Sequence, residues 1–385
     1  MSFDYYINRN IDISTSIYIG KNGEGKSFSM RLLSELMSAL KKFSVNNTTI
    51  PESDLYYNQY KLTVTDEYGD IVIDTQKINH PRNNNTDSNN PTEITLNQIK
   101  IYYQKSNRSK KYTKLELFSM LPKVIVPDYN NVGKINTDPW HKEKSNTVQI
   151  YQQALENILH KDKYKEIINS QLYEYCHLTL EYSSNNANIE YHKNNGERSA
   201  YEWLSSGENS IIFTWAYIIN EVANTNTATH SAILMIDEPE SSLHPEWQRY
   251  YLYYLKEILK KLHISGQIII ATHSPFIISA LNPKDAKIYN IHNITEDNKL
   301  EKISKEQPSS YGSSIDRTLT TTMELSDTRS LDFCNDFNYL VEQLRLKTPI
   351  ESLQTNITNL QGFLSEDDEL WIFLDMLEKR RFDWK

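Results

Sequence analysis

Gly20-Lys21-Asn22-Gly23-Glu24-Gly25-Lys26-Ser27 satisfies the pattern G-x-x-x-x-G-K-[ST] at every fixed position. Residues of these types at this spacing bind the phosphates of a nucleotide. Gly20, Gly23 and Gly25 let the backbone wrap, with Asn22 on the same loop, until its N–H groups converge on phosphate oxygens. The N-terminus of a following helix adds its dipole. Lys26 supplies a cation for the β- and γ-phosphates, and the Ser27 hydroxyl is a ligand for Mg2+. The chain has only 10 glycines among 385 residues, and three of them fall within this loop, so a chance match in Gly-rich sequence does not account for it. A second chemical feature is the pair Asp237-Glu238, which ends the apolar run Ala232-Ile233-Leu234-Met235-Ile236. One carboxylate at such a strand end can hold Mg2+ and the other can orient an attacking water. Asp237 suits the first role and Glu238 the second. Alone, two acids ending a strand are equally well read as a solvated terminus.

These groups need a scaffold, and the hydrophobic pattern describes one. Ile17-Tyr18-Ile19 predicts a strand ending at Gly20, and apolar residues at helical spacing from Phe28 to Leu40 predict the helix after the loop. Alternating runs between residues 41 and 115, such as Tyr60–Val64 and Ile99–Tyr102, predict an antiparallel layer. The Asn-rich segment Arg82–Asn90 between them reads as a loop. Residues 147–176 read as helical, and 178–182 with 187–191 as a hairpin. From residue 208 onward helix and strand alternate (208–222, 232–236, 246–262, 267–271, 275–281), the rhythm of a parallel sheet covered by helices. Beyond about 300 the chain reads as a Ser- and Thr-rich loop followed by helical segments within 330–346, 350–363 and 367–380. The expected division is a domain of residues 1–300, with a β insertion at about 50–115 and a helical part at about 147–222, and a helical region of 301–385 for assembly or partner docking.

The order of motifs resembles the ABC-type ATPase family. Leu204-Ser205-Ser206-Gly207-Glu208 looks like that family's signature, usually LSGGQ, and stands upstream of the acidic strand as the family requires. Ser241-Ser242-Leu243-His244-Pro245 is similar to its D-loop, and Ile268–Pro275 to the next strand with a switch histidine, His273. The resemblance implies an α/β fold of mainly parallel sheet and the hydrolysis of ATP with Mg2+. It also implies a head-to-tail homodimer in which Gly20–Ser27 of one copy faces Ser205, Ser206 and Gly207 of the other across the nucleotide. His273 would contact the γ-phosphate. Two departures stand out: Gln59, Gln98 and Gln104 all lack the flanks of the family's Q-loop, and the strand before the phosphate loop starts very near residue 1.

The variants LSSGE and DEPESSLHP resemble the branch holding recombination-type and overcoming-lysogenisation-defect ATPases. No sustained heptad run separates Ser27 from Leu204, which argues against a chromosome-clamp arm. The run Tyr311–Arg317, then Asp327-Thr328-Arg329 and the segment around Leu364–Leu370 look like the tail of the ATPase subunit of Septu-type and retron-associated antiphage systems. That likeness implies a separate HNH nuclease partner, with a reverse transcriptase and its DNA product in retron versions. Rival readings are a DNA-repair ATPase that binds DNA itself, a transport subunit, and a scaffold in which ATP is structural.

Composition narrows the field. A net charge of −9 speaks against coating nucleic acid through a basic surface, although Lys105, Arg108, Lys110, Lys111 and Lys114 form a basic run that reads either as a phosphate contact or as a solvated loop. No stretch is long and apolar enough to span a bilayer and no leader is evident, so no membrane partner and a cytoplasmic location are expected. Cys176 and Cys334 lack metal-ligand neighbours and read as reduced thiols. Trp203, Trp215 and Trp247 read as packing residues.

Overall fold

The computed structural model describes residues 13–20, 26–27, 30, 34, 50–51, 59–66, 69–76, 93–94, 99–104, 123–127, 146–183, 188–224, 231–296 and 299–379. The chain divides into two compact units, Met1–Thr318 and Leu319–Lys385.

The first unit is built on a six-stranded sheet ordered β14-β13-β1-β12-β11-β7. Its strands are β1 (Ile13–Ile19), β7 (Lys123–Ile125), β11 (Ser231–Asp237), β12 (Ser265–Ala271), β13 (Ala286–Glu296) and β14 (Lys299–Gln307). Neighbours pair in parallel from β13 to β7, and β14 alone runs antiparallel along the β13 edge. The fold is therefore α/β with a mainly parallel sheet. Ile233–Ile236 and Ile268–Ala271 are unbroken apolar runs because both faces of their strands are covered, and all are buried. Among the described strands β1 lies inside the sheet, flanked by β12 and β13, so an early start in the chain does not make it an edge.

The expected antiparallel layer is a three-stranded sheet of β3 (Gln59–Asp66), β4 (Gly69–Gln76) and β6 (Ile99–Gln104), and a separate short pair joins β2 (Ile50–Pro51) to β5 (Glu93–Ile94). The hairpin is β8 (Leu178–Ser183) with β9 (Asn188–Lys193), extended by β10 (Arg198–Ala200). Residues 146–176 form two helices, α1 (Asn146–Leu159) and α2 (Asp162–Cys176). Helix α3 (Ser206–Ala223) is apolar nearly all round and is buried from Gly207 to Ala216. Helix α4 (Pro245–Lys261) crosses from β11 to β12. It buries Tyr251, Leu252, Leu255, Ile258 and Leu259 at helical spacing and closes on Lys260 and Lys261, which suit the negative end of its dipole. Helix α5 (Pro275–Ser279) follows β12.

Residues 299–307, expected as loop, are strand β14. The pattern hid it because Lys and Glu crowd its sequence, as they do on edge strands. The expected boundary at 300 thus falls inside β14, and the compact unit runs on to Thr318. The Asn-rich segment 82–90 and most of 28–40 lie outside the described residues.

The second unit is helical: α6 (Leu331–Arg345), α7 (Ile350–Gln361) and α8 (Glu369–Lys379). Its own core is Leu340, Leu353, Ile357, Leu360, Leu374 and Leu377. Arg329 braces it through a 2.9 Å ion pair with Asp368.

Candidate nucleotide site

In a parallel sheet ligands bind beyond the carboxyl ends of the strands, and here the register decides which residues meet there. Tyr18 of β1 pairs with Ala271 of β12, and Ala271 with Asp237 of β11. Gly20, Asp237, Glu238 and His273 therefore leave the sheet side by side. Two backbone bonds seal the row: Thr272 N–H to the Tyr18 carbonyl (3.1 Å) and Glu238 N–H to the Ala271 carbonyl (2.8 Å).

Lys26 and Ser27 carry helical backbone just past Gly20. The Lys26 side chain is buried, and its Nζ donates to the Gly20 carbonyl at 2.8 Å, folded back along the loop. Ser27 is exposed, and its hydroxyl hydrogen-bonds the Asp237 carboxylate. Burial raises the Asp237 carboxyl above its ordinary range, opposed by that bond and by the Lys26 charge. Asp237 Oδ1 is enclosed and finds no hydrogen-bond partner among the described residues. An unpartnered buried carboxylate oxygen next to a hydroxyl fits a hard cation, and Mg2+ needs only one or two such protein ligands beside phosphate oxygens and water.

Glu238 follows with φ 46°, a left-handed conformation that a non-glycine residue adopts at a cost of about 1–2 kcal/mol. Such strained positions collect at functional sites. His273 is half-buried; burial first, then the Lys26 ammonium, holds its imidazole below the ordinary range. The ring is thus neutral near pH 7 and offers one N–H donor. Asp237 and His273 each lie within electrostatic reach of the other and of both Lys26 and Glu238.

Asn22, Gly23 and Gly25 lie outside the described residues, as do the side chains of Gln59, Gln98 and Gln104 and the basic run from Lys105 to Lys114. Ser205, Ser206 and Gly207 open α3, with both serines exposed and the glycine buried. Ser205 is its N-cap: Oγ accepts from the Glu208 amide (3.3 Å), while Glu208 Oε2 accepts from the Ser205 amide (2.8 Å). Lys193 of β9 grips the other Glu208 oxygen at 2.9 Å. The Glu where the resembled signature has Gln suits this place by its charge, which pairs with Lys193 and with the positive end of the helix.

Gly207 has a second reason to be glycine. A Cβ there would lie 2.7 Å from the Ser242 carbonyl oxygen, on the loop after β11. Backbone cannot swing aside as a side chain can, and Ser242 already sits at φ 72°. Gly207→Ala gains up to about 1 kcal/mol of helix propensity, yet must displace that loop. Circular dichroism should show an unfolding midpoint close to wild type, with ATP turnover reduced ~10-fold, the scale of a displaced supporting contact.

Sequence reasoning assigned no role to Glu240, whose Oε1 accepts from the His273 amide at 2.6 Å. A carboxylate that serves a backbone amide in a distant turn leaves no spacing signal. Trp203, read as packing, is 79% exposed: it ends a 3-10 turn whose Tyr201 and Leu204 face inward instead. Trp215 is fully buried, and Trp247 is half-buried against the Tyr175 ring. His244 is the N-cap of α4, its ring accepting from the Glu246 amide. Cys176 and Cys334 are free, with burial pushing the Cys176 thiol up to about 12, far from reactivity. Among the described residues no helix is long and apolar enough to cross a membrane.

A mainly parallel sheet whose strand ends bring Gly20, Lys26, Ser27, Asp237 and His273 together, at a sequence of the form G-x-x-x-x-G-K-S, has the arrangement of a P-loop ATPase domain. Residues 53–279, more than half of the chain, match the family described as AAA domain, putative AbiEii toxin, Type IV TA system, and the chain belongs to that family. It is 29% identical over 146 residues to the Septu protein PtuA of Bacillus thuringiensis, covering 34% of this chain and 33% of that one. Over 103 residues it is 29% identical to the retron Vc95 probable ATPase of Vibrio cholerae serotype O1 biovar El Tor, covering 26% of this chain and 19% of that one. These matches thus span a third or less of the relatives' own lengths. Among solved structures, an SMC head bound to the C-winged helix domain of ScpA is similar at TM-score 0.40 and 12% identity, over 76% of this chain and 90% of that one. The cbiO1 subunit of a Clostridium perfringens ABC transporter complex is similar at TM-score 0.31 and 12% identity, over 76% of each.

Proposed function

We propose that this chain binds and hydrolyses ATP as a head-to-tail dimer, and that this cycle gates a partner effector of the nuclease class in bacterial antiphage defence. The observation that carries the hydrolytic reading is the shared strand register, which sets Gly20, Asp237, Glu238 and His273 at one end of the sheet with Lys26 and Ser27 beside them. Lys26 binds the β- and γ-phosphates, and Ser27 with Asp237 holds Mg2+. When bound, that ion neutralises charge building on the phosphates. Glu238 orients the attacking water and accepts its proton. His273 donates its N–H toward the γ-phosphate. Ser205, Ser206 and Gly207 complete the site of a second copy.

Similarity to a Septu protein and to a retron ATPase supports the defence setting. On this reading the partner is an HNH-type nuclease, with a reverse transcriptase and its nucleic acid in a retron-like version. The helical unit of residues 319–385, which has its own core, is the docking element.

The test is mass spectrometry of what co-purifies with the tagged chain expressed together with its neighbouring genes. A stoichiometric nuclease is the expected result. A clean homodimer without a partner contradicts the gating and makes direct action on DNA the leading reading.

A further inference from the structure

His273 leaves β12 through a turn whose backbone amides are each tied to a different acceptor. Thr272 donates to the Tyr18 carbonyl of β1 (3.1 Å), His273 to Glu240 Oε1 (2.6 Å) and Ser274 to Thr272 Oγ1 (2.9 Å). The middle tie alone reaches another loop. Glu240 stands on the turn after β11, held there by bonds from Ser241 N–H to the Glu238 carbonyl (3.1 Å) and from Leu243 N–H to its own carbonyl (2.9 Å). Its carboxylate also accepts from the Thr272 hydroxyl. Gln248 of α4 adds a parallel tie, donating to the Leu243 carbonyl (2.9 Å) and accepting from Ser274 Oγ (2.5 Å).

We propose that Glu240 is the positioning residue for His273: its carboxylate locks the backbone at the imidazole to the loop that also carries Glu238 and Ser242. Two observations make this more than a surface hydrogen bond. The second oxygen, Oε2, is enclosed and has no partner among the described residues, so the carboxylate is held in a poorly solvated place by the contacts of Oε1 and Thr272. Burial accordingly raises its carboxyl above the ordinary range. A buried acceptor of this kind is costly to leave unmatched, so loop and imidazole move together or not at all. Because Gly207 packs so near Ser242 of the same loop that an added Cβ would meet its carbonyl oxygen at 2.7 Å, the start of α3 adjoins the same linkage. The inference rests on the reading of His273 as a phosphate-contacting group.

The experiment compares the full chain with Glu240→Ala, Glu240→Gln, His273→Ala and the double variant Glu240→Ala/His273→Ala. Hydrogen–deuterium exchange over residues 272–274 should rise ~10-fold or more in Glu240→Ala while the interiors of β11 and β12 stay protected. Glu240→Gln, which keeps an acceptor, should retain most of that protection. Turnover in Glu240→Ala should fall ~10–100-fold, the range seen when a supporting partner of a site residue is removed, with KM for ATP within ~3-fold of wild type. Added to His273→Ala, the Glu240 change should cost less than ~2-fold more, because both act through one imidazole. Unchanged exchange at 272–274, or losses that multiply in the double variant, would overturn the proposal. A wild-type chain that binds ATP without turnover would instead refute the hydrolytic reading, and the exchange result would still decide the role of Glu240.

Discussion

Lys26→Ala should weaken ATP binding ~10–150-fold while leaving the fold intact. The buried Nζ donates to the Gly20 carbonyl at 2.8 Å, a contact that holds the cation at the loop before nucleotide arrives. Truncation removes one charge-assisted interaction with phosphate, worth about 1.5–3 kcal/mol, which corresponds to ~10–150-fold in Kd. It also removes a positive charge from a neighbourhood holding Asp237 and Glu238, so repulsion between these carboxylates and the phosphates goes unopposed. The measurement is thermal denaturation with and without ATP and Mg2+. Ligand at ~100 times the wild-type Kd stabilises wild type by about 2.7 kcal/mol, and at that concentration the variant should keep only about 0.3–1.4 kcal/mol of it while its ligand-free midpoint stays near wild type. An undiminished ATP shift in Lys26→Ala would remove the loop from the account.

Glu238→Gln should bind ATP as well as wild type or better and turn it over ~100–10,000-fold more slowly, the span attributed to a positioned general base. The substitution is nearly isosteric, so it keeps the backbone turn at φ 46° and the 2.8 Å bond from its amide to Ala271. What it loses is the ability to take a proton from water. It also deletes a negative charge that helps raise the neighbouring Asp237 carboxyl, which relieves repulsion of the γ-phosphate and favours retention of nucleotide. Single-turnover measurements with preloaded ATP separate this from weak binding, because the step that slows is the chemical one.

Where a function imposes fixed spacing, the sequence alone was readable. A phosphate loop needs glycine, lysine and hydroxyl at set positions, so Gly20–Ser27 stands out, as does the apolar run of β11 ending in Asp237 and Glu238. The capping of α3 was not read, although Ser205 followed three residues later by Glu208 is the pattern of a capping box; the salt bridge from Lys193 depends on the hairpin folding back and leaves no local trace. Glu240 went unread because its partner is a backbone amide 33 residues away, and any residue type supplies such an amide. Trp203 misled for the opposite reason: an aromatic ring usually means core, but a turn immediately before a helix cap can present it outward. Strand β14 was missed because Lys299-Leu300-Glu301-Lys302-Ile303 does not alternate, and only pairing with β13 selects its conformation.

The central claim, that ATP joins two copies of this chain through Gly20–Ser27 of one and Ser205–Gly207 of the other, is tested most directly by light scattering of purified Glu238→Gln with and without ATP and Mg2+. The expected result is a mass that doubles from the 45.1 kDa chain, or steps up by whole dimers, only when nucleotide is present. Lys26→Ala placed in the same background should abolish the step. A mass that does not change while ATP is demonstrably bound would contradict the shared site.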